Sequence, residues 1–215
     1  VEIIKRNIKW LVVGLLLFLG IIFFQTKFNL FYPSDVLRIG LIGTYQQHDI
    51  PQEVTELASE SLVSIDEGGR VKGNLVAGWE TNNDATVFKF KLKDNLQWID
   101  GTPLKSNDLE FAIPNTEVSY PDDKTIQFKL KEPYSPLPSL LTKPVFKKGT
   151  LVGLGPYAIS AVDKSRIFIT KLVLKPKISN SPIIYVRFYP SEKVAIAGFN
   201  LGEVQAILGL SKTEI

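Results

Sequence analysis

The chain has 215 residues, with 25 Lys and Arg against 22 Asp and Glu, one His and no Cys. A net charge of +3 without a block of like charge argues against a nucleic-acid partner. The lack of Cys excludes disulfides and thiolate metal sites, and one His leaves a single possible base for a nucleophilic triad.

Residues 10–24 (WLVVGLLLFLGIIFF) are uncharged and apolar, and they follow Lys5, Arg6 and Lys9. A helix rises about 1.5 Å per residue, so a bilayer crossing takes roughly 20 residues. Ile8 and the snorkelling stems of Lys9 and Lys27 extend the run toward that length. Trp10 suits one interface, and Phe28, Phe31 and Tyr32 suit the other. No pair of small residues spaced for signal cleavage follows, and no Cys is present to carry a lipid. Residues 1–25 therefore read as a basic cytoplasmic flank and one N-terminal transmembrane helix, a signal anchor engaging the membrane through residues 8–25. The basic flank puts the N-terminus in the cytoplasm and the rest outside. Residues 26–35 read as a tether, and residues 36–215 as an extracytoplasmic domain.

Residues 36–42 are β-branched and apolar and predict a first strand. A polar loop follows. Pro51 then opens a helix to about Ser61 that places Val54, Leu57, Ala58 and Ser61 on one face. Residues 62–65 predict a short strand, and Gly68-Gly69 a hairpin turn. Residues 86–93 alternate strictly: Phe88, Phe90 and Leu92 face one side, Lys89, Lys91 and Lys93 the other. Residues 125–131 alternate in the same way and predict the partner strand, with the lysines of both on a solvated face. Ser106 predicts the cap of a helix over 107–112, ended by Pro114. Residues 137–141 predict one helical turn. Residues 157–161, 167–174 and 183–189 read as strands, 191–200 as a helix closing at Gly202, and 204–208 as a last strand. Strands and helices are interleaved irregularly, which predicts an α/β class with a mixed β-sheet.

Catalytic and metal motifs are missing. His48 sits in a polar loop, where solvent exposure is expected, and no His or Cys cluster has metal spacing. Asp122-Asp123 reads as a turn cap. Gly153-Leu154-Gly155-Pro156 resembles part of a phosphate loop, but Pro156 removes an amide donor and no Gly-Lys-Ser/Thr follows. No cofactor and no enzymatic activity are expected.

Leu75-Val76-Ala77-Gly78-Trp79-Glu80 resembles the "L-A-x-x-W-E" segment of the extracytoplasmic solute-binding proteins of family 5, which serve peptide and nickel ABC importers. Trp98-Ile99-Asp100-Gly101-Thr102-Pro103 is similar to the family's "W-H-D-G-x-P", the most specific match. Gly153-Leu154-Gly155-Pro156-Tyr157 resembles "G-T-G-P-Y", and Gly202-Glu203-Val204-Gln205-Ala206 resembles "G-E-v-D-a". Glu60 to Asp66, Gly69 to Asn74, Thr86 to Lys93, Ser106 to Phe111 and Asp123 to Tyr134 resemble further family segments in the same order. Trp98 reads as a core anchor, Asp100-Gly101 as a turn, and Trp79 as packing.

The resemblance implies a lobe of a periplasmic-binding-protein-like (type II) fold, binding a peptide or other small solute and docking on ABC permease subunits. It also implies an incomplete protein here, with the second lobe not represented in residues 36–215. Two segments are shorter than in the family: 111–116 and 141–152. The loop after the first strand is the candidate ligand wall, with Thr44, Tyr45 and Gln46 as the ligand-binding residues. Tyr45 offers both apolar area and a hydroxyl. The alternative is a one-lobed interaction module of a cell-envelope complex that binds no small ligand.

Overall fold

A computed structural model describes residues 36–178 and 180–211. The apolar run, the basic flank and the tether lie outside the described residues. Among those described, no helix is long and apolar enough to cross a membrane. From Leu37 onward the chain forms one unit with three β-sheets among the described residues, of five, four and two strands, the two larger ones with separate cores.

The first sheet is mixed. It contains β1 (Val36–Ile42), β8 (Tyr157–Ser165), β9 (Phe168–Pro176), β10 (Ile183–Tyr189) and β11 (Ala206–Leu208), in the spatial order β11-β1-β10-β9-β8. β1 and β11 pair in parallel, with Ile39 opposite Ala206 and Leu41 opposite Leu208. β9 pairs antiparallel with both β8 and β10. The parallel pairing requires a crossover connection, and helix α2 (Glu192–Asn200) supplies it, carrying the chain past β1 to the edge. Leu201 and Gly202 end α2, and Gly202 has φ +74°, as a glycine at a helix C-terminus commonly does.

The second sheet is wholly antiparallel, ordered β4-β5-β7-β6: β4 (Val76–Thr81), β5 (Val87–Leu92), β6 (Thr116–Asp122) and β7 (Thr125–Leu130). The alternation read from the sequence is the observed one. Phe88 pairs with Phe128 and Phe90 with Ile126, all four buried, while Lys89, Lys91 and Lys129 are exposed. Phe90 meets Phe128 edge-on at 5.5 Å and stacks on Trp79 at 5.6 Å. A short hairpin, β2 (Val63–Ile65) with β3 (Val71–Gly73), turns on Asp66, whose carboxylate accepts the Gly68 and Arg70 amides at 2.9 Å. Of the two glycines in that turn only Gly69 takes a positive φ, +75°.

Two helical expectations are corrected. Helix α1 (Gln52–Ala58) stops before Ser61, because Ser59 is extended. The buried Ser59 hydroxyl donates to the Val145 carbonyl and accepts the Leu154 amide. The segment at Ser106 forms only a 3-10 turn (Ser106–Asp108), with Leu109 already extended. There the Ser106 amide and hydroxyl bond the Asp123 and Asp122 carbonyls, at 2.8 and 2.5 Å. Tertiary bonds outcompete the next helical turn in both places.

Candidate functional site

Gly43, at φ +137°, turns the chain off the end of β1 and donates its amide to the Tyr189 carbonyl at 2.8 Å. A Cβ there would stand 2.6 Å from the Tyr45 ring, so both the dihedral and the space require glycine. Thr44 is exposed, whereas Tyr45 and Gln46 are partly covered. Tyr45 folds back onto the sheet. Its hydroxyl donates to the Ile42 carbonyl at 3.0 Å, its ring meets Phe188 edge-on at 5.2 Å, and its carbonyl accepts the Ile169 amide at 2.8 Å. The Gln46 amide donates to the Asp49 carboxylate, and the Asp49 amide returns to the Gln46 carbonyl at 3.2 Å, closing a turn.

That turn presents the next residues to a groove of about 790 Å³. One wall is Gln47, His48, Asp49 and Ile50 with Gln52 and Thr55 of α1; the other is Lys143, Pro144, Phe146 and the stretch from Gly149 to Leu151. The volume lies within the range of small-ligand sites, roughly 300–1,000 Å³. Thr44, Tyr45 and Gln46 do not line it. Tyr45 and Gln46 instead shape the turn that places the lining residues.

The second wall is stitched to α1. Gly155 donates to the Ala58 carbonyl at 3.0 Å, and Val145 to the Glu60 carbonyl at 2.9 Å. A Cβ on Gly155 would come within 2.6 Å of the Ala58 and Leu57 backbone, and one on Gly153 within 2.7 Å of Ser59 Cβ. The glycines of the Gly153-Leu154-Gly155 stretch thus serve close backbone approach, consistent with the rejection of a phosphate loop. Ile99 donates to the Gly153 carbonyl at 2.8 Å, which ties the Trp98 to Pro103 motif to the same wall.

Most polar groups of the groove are already engaged. Gln47 accepts the Lys164 ammonium at 2.7 Å, Gln52 donates to Glu56 at 2.6 Å, and the Thr150 hydroxyl donates to the Lys147 carbonyl at 2.7 Å. Lys147 itself bonds the Thr102 hydroxyl at 3.0 Å and Asp100 at 3.4 Å. The hydroxyl and amide of Thr102, and then Lys147, hold the Asp100 carboxyl below its usual range. Among the described residues, His48 and Lys143 have no hydrogen-bond or ion-pair partner.

A second cavity, of about 610 Å³, lies along the same loop. It shares His48, Lys143, Pro144, Phe146, Gly149 and Thr150 with the groove, and adds apolar groups such as Phe111, Ile113 and Leu140 together with the charged Glu110, Lys147 and Lys148. Segments 111–116 and 141–152 both contribute to the lining of that cavity. Sequence reading missed the Lys143 to Leu151 side altogether. The signal available was slight: a lysine-rich loop with Pro144 and Phe146, between a helical turn and a better-marked strand. Among the described residues, no group of three or more His, Cys, Asp or Glu could hold a metal ion.

No family model matches the chain. Two curated proteins match parts of it. The probable peptide ABC transporter periplasmic-binding protein y4tO of Sinorhizobium fredii is 30% identical over 97 residues, 38% of this chain and 18% of that protein. The probable D,D-dipeptide-binding periplasmic protein DdpA of Escherichia coli is 28% identical over 81 residues, 31% of this chain and 16% of that one. Among solved structures, NikZ from Campylobacter jejuni in complex with Ni(L-His) superposes with a TM-score of 0.61 at 18% identity, covering 80% of this chain and 43% of NikZ. A nickel ABC transporter protein from Bacillus halodurans gives 0.61 at 15% identity, covering 80% and 42%. The structural matches show the fold, a mixed α/β architecture of the periplasmic-binding-protein kind. The chain spans less than half the length of each of these proteins. The resemblance to the N-terminal portion of the family 5 solute-binding proteins is borne out by these matches.

Proposed function

We propose that this chain belongs to the extracytoplasmic solute-binding subunit of an ABC importer, anchored in the membrane through residues 8–25, and that its solutes are oligopeptides. The observation that carries this reading is the groove between the Gln47 to Ile50 turn and the Lys143 to Leu151 loop. It has the volume of a ligand site, and its walls are held by backbone hydrogen bonds from α1 and the Ser59 step. The lining mixes apolar surface from Ile50, Phe146 and Leu151 with amide and hydroxyl groups, which suits an extended backbone. The matched stretches of proteins named for peptide and D,D-dipeptide binding support peptides as the solute class. Binding is non-covalent, needs no cofactor, and hands the solute to permease subunits. Tyr45 and Gln46 act by fixing the turn, and Thr44 stands exposed at its base. Native mass spectrometry of the full-length protein with a pool of di- to pentapeptides tests this. Saturable one-to-one adducts are expected, and no adduct across the pool would refute it.

A second reading has one observation in its favour. Helix α2 exposes Val194, Ile196 and Phe199 by 45–46%, and Leu201 beyond its end by 78%. A helix apolar on most of its circumference suits burial against another surface. An interaction module of a cell-envelope complex would use that surface. It predicts specific co-purification of a protein partner without peptide adducts.

A further inference from the structure

The β8–β9 hairpin closes on Arg166 and Ile167, with Ser165 opposite Phe168. Tight hairpin turns usually place Gly, Asn or Asp where φ is positive. Here Arg166 holds that position, at φ +57°. The tip thus keeps a long cationic side chain where a glycine would relieve the backbone. Beside it, Ile167 is 60% exposed and Phe168 40%.

The charges around the tip do not cancel. Asp163 is the nearby acid of the hairpin, and Lys171 pairs with it at 2.6 Å. The Lys164 ammonium bonds the neutral Gln47 side chain at 2.7 Å, and among the described residues Arg166 has no hydrogen-bond or ion-pair partner. Lys164, Arg166, Ile167 and Phe168 are all exposed. Apolar side chains at a tip flanked by unneutralised cations match an anionic lipid interface, which takes the former into its acyl boundary and the latter at its phosphates. A protein partner fits less well. Its side of a stable interface takes roughly 800 Å², far more than a two-residue tip offers.

We propose that the β8–β9 tip inserts Ile167 and Phe168 into the membrane surface, with Lys164 and Arg166 on anionic lipid phosphates. This rests on the reading of residues 8–25 as a membrane anchor. The anchor makes docking intramolecular, so a weak tip suffices. Reach permits it: residues 26–35 can extend to roughly 33 Å, and β1, whose far end adjoins the tip through the Tyr45–Ile169 bridge, is about 23 Å long. The Lys164–Gln47 bond and that bridge tie the tip to the first wall of the groove. A docked tip therefore holds the groove's first wall close to the bilayer.

Full-length protein reconstituted in lipid nanodiscs tests this. The chain has no Cys, so Ser165→Cys supplies one thiol for a bimane label beside the tip. In discs of equal parts phosphatidylcholine and phosphatidylglycerol, doxyl-labelled lipid should quench the label, and in phosphatidylcholine alone much less. Arg166→Gln should lower the docked-to-free ratio about fivefold, the share of one cation at an anionic surface. Ile167→Glu should abolish the quenching. Both side chains are exposed, so neither change threatens the fold. Protein that co-elutes with the discs but shows no quenching, or quenching that both substitutions leave unchanged, overturns this inference and leaves the anchor standing. A label shielded by a co-purified protein and not by lipid overturns it in favour of a protein partner. Protein that fails to enter the discs overturns the anchor and this inference together.

Discussion

Trp98 donates its indole N–H to the carboxylate of Asp108 at 3.1 Å, linking the start of the Trp98 to Pro103 motif to a residue ten positions on. The same carboxylate oxygen accepts the Lys105 amide at 2.9 Å, and the Asp108 carbonyl accepts the Lys148 amide at 2.7 Å. Trp98 is 1% exposed, and the half-buried Asp108 carboxylate is the partner of its indole N–H. Asp108 thereby joins the antiparallel-sheet core to the loop that carries the groove's second wall. Asp108→Ala should cost about 1–3 kcal/mol, the penalty of a buried donor left unpaired, with Asp108→Asn costing less. Urea unfolding of the two variants measures this. An Asp108→Ala midpoint equal to wild type would show that the pair does not hold the loop.

The wall behind the groove depends on a close backbone approach. Gly155→Ala would push a Cβ into the Ala58 carbonyl carbon at 2.6 Å, where neither backbone can yield cheaply. A loss of about 1–3 kcal/mol is expected, as for other overpacked sites. Gly78→Ala, in β4, meets nothing within 4 Å and should be neutral or stabilising by about 0.5–1 kcal/mol. Thermal unfolding of the pair would separate them; equal shifts would contradict the packing role of Gly155.

The alternation in β5 gives adjacent residues opposite fates. Phe90 is fully buried, and Phe90→Ala should cost about 3–5 kcal/mol. Lys91 points to solvent, and Lys91→Ala should stay within about 0.5 kcal/mol of wild type. Denaturant midpoints check both values.

Acid sensitivity follows from the carboxylates. Asp66 is held low chiefly by the Arg70 amide, Asp94 and Asp122 by Lys124, Asp100 by Thr102, and Glu192 by Ser211. Each has a folded value below the ordinary 3.8, or 4.5 for Glu192. The unfolded chain therefore binds more protons across that interval, and stability rises with pH there. These contributions are complete above the ordinary values and are lost as pH falls through the folded ones. Urea midpoints should be flat with respect to these groups between about pH 7 and 5, then drop below about pH 4. Asp66→Asn should shrink that drop. An unchanged drop would remove Asp66 from the account.

The strands were legible where one face is wet and the other dry. Phe88, Phe90 and Leu92 against Lys89, Lys91 and Lys93 left a single register open, and the observed pairing with β7 follows it. The family motifs were legible because Trp98, Asp108 and the Gly153-Leu154-Gly155 glycines solve packing problems that need those residue types. The helix ends were not. Helical geometry ends at Ser59 and at Leu109, where Ser59 and Ser106 bond residues far along the chain, and local pattern carries no trace of those partners. The groove was half legible. Its first wall lies one residue beyond Gln46, in the loop singled out after β1, but Lys143, Pro144 and Phe146 arrive only through tertiary folding.

The most direct test of the account is hydrogen–deuterium exchange of the full-length protein with and without a saturating pool of short peptides. Solute in the groove predicts slowed exchange at two separate stretches, 46–52 and 143–151, with β4 to β7 unchanged. Peptide-dependent protection confined to α2 or the antiparallel sheet, or no protection anywhere, would contradict it.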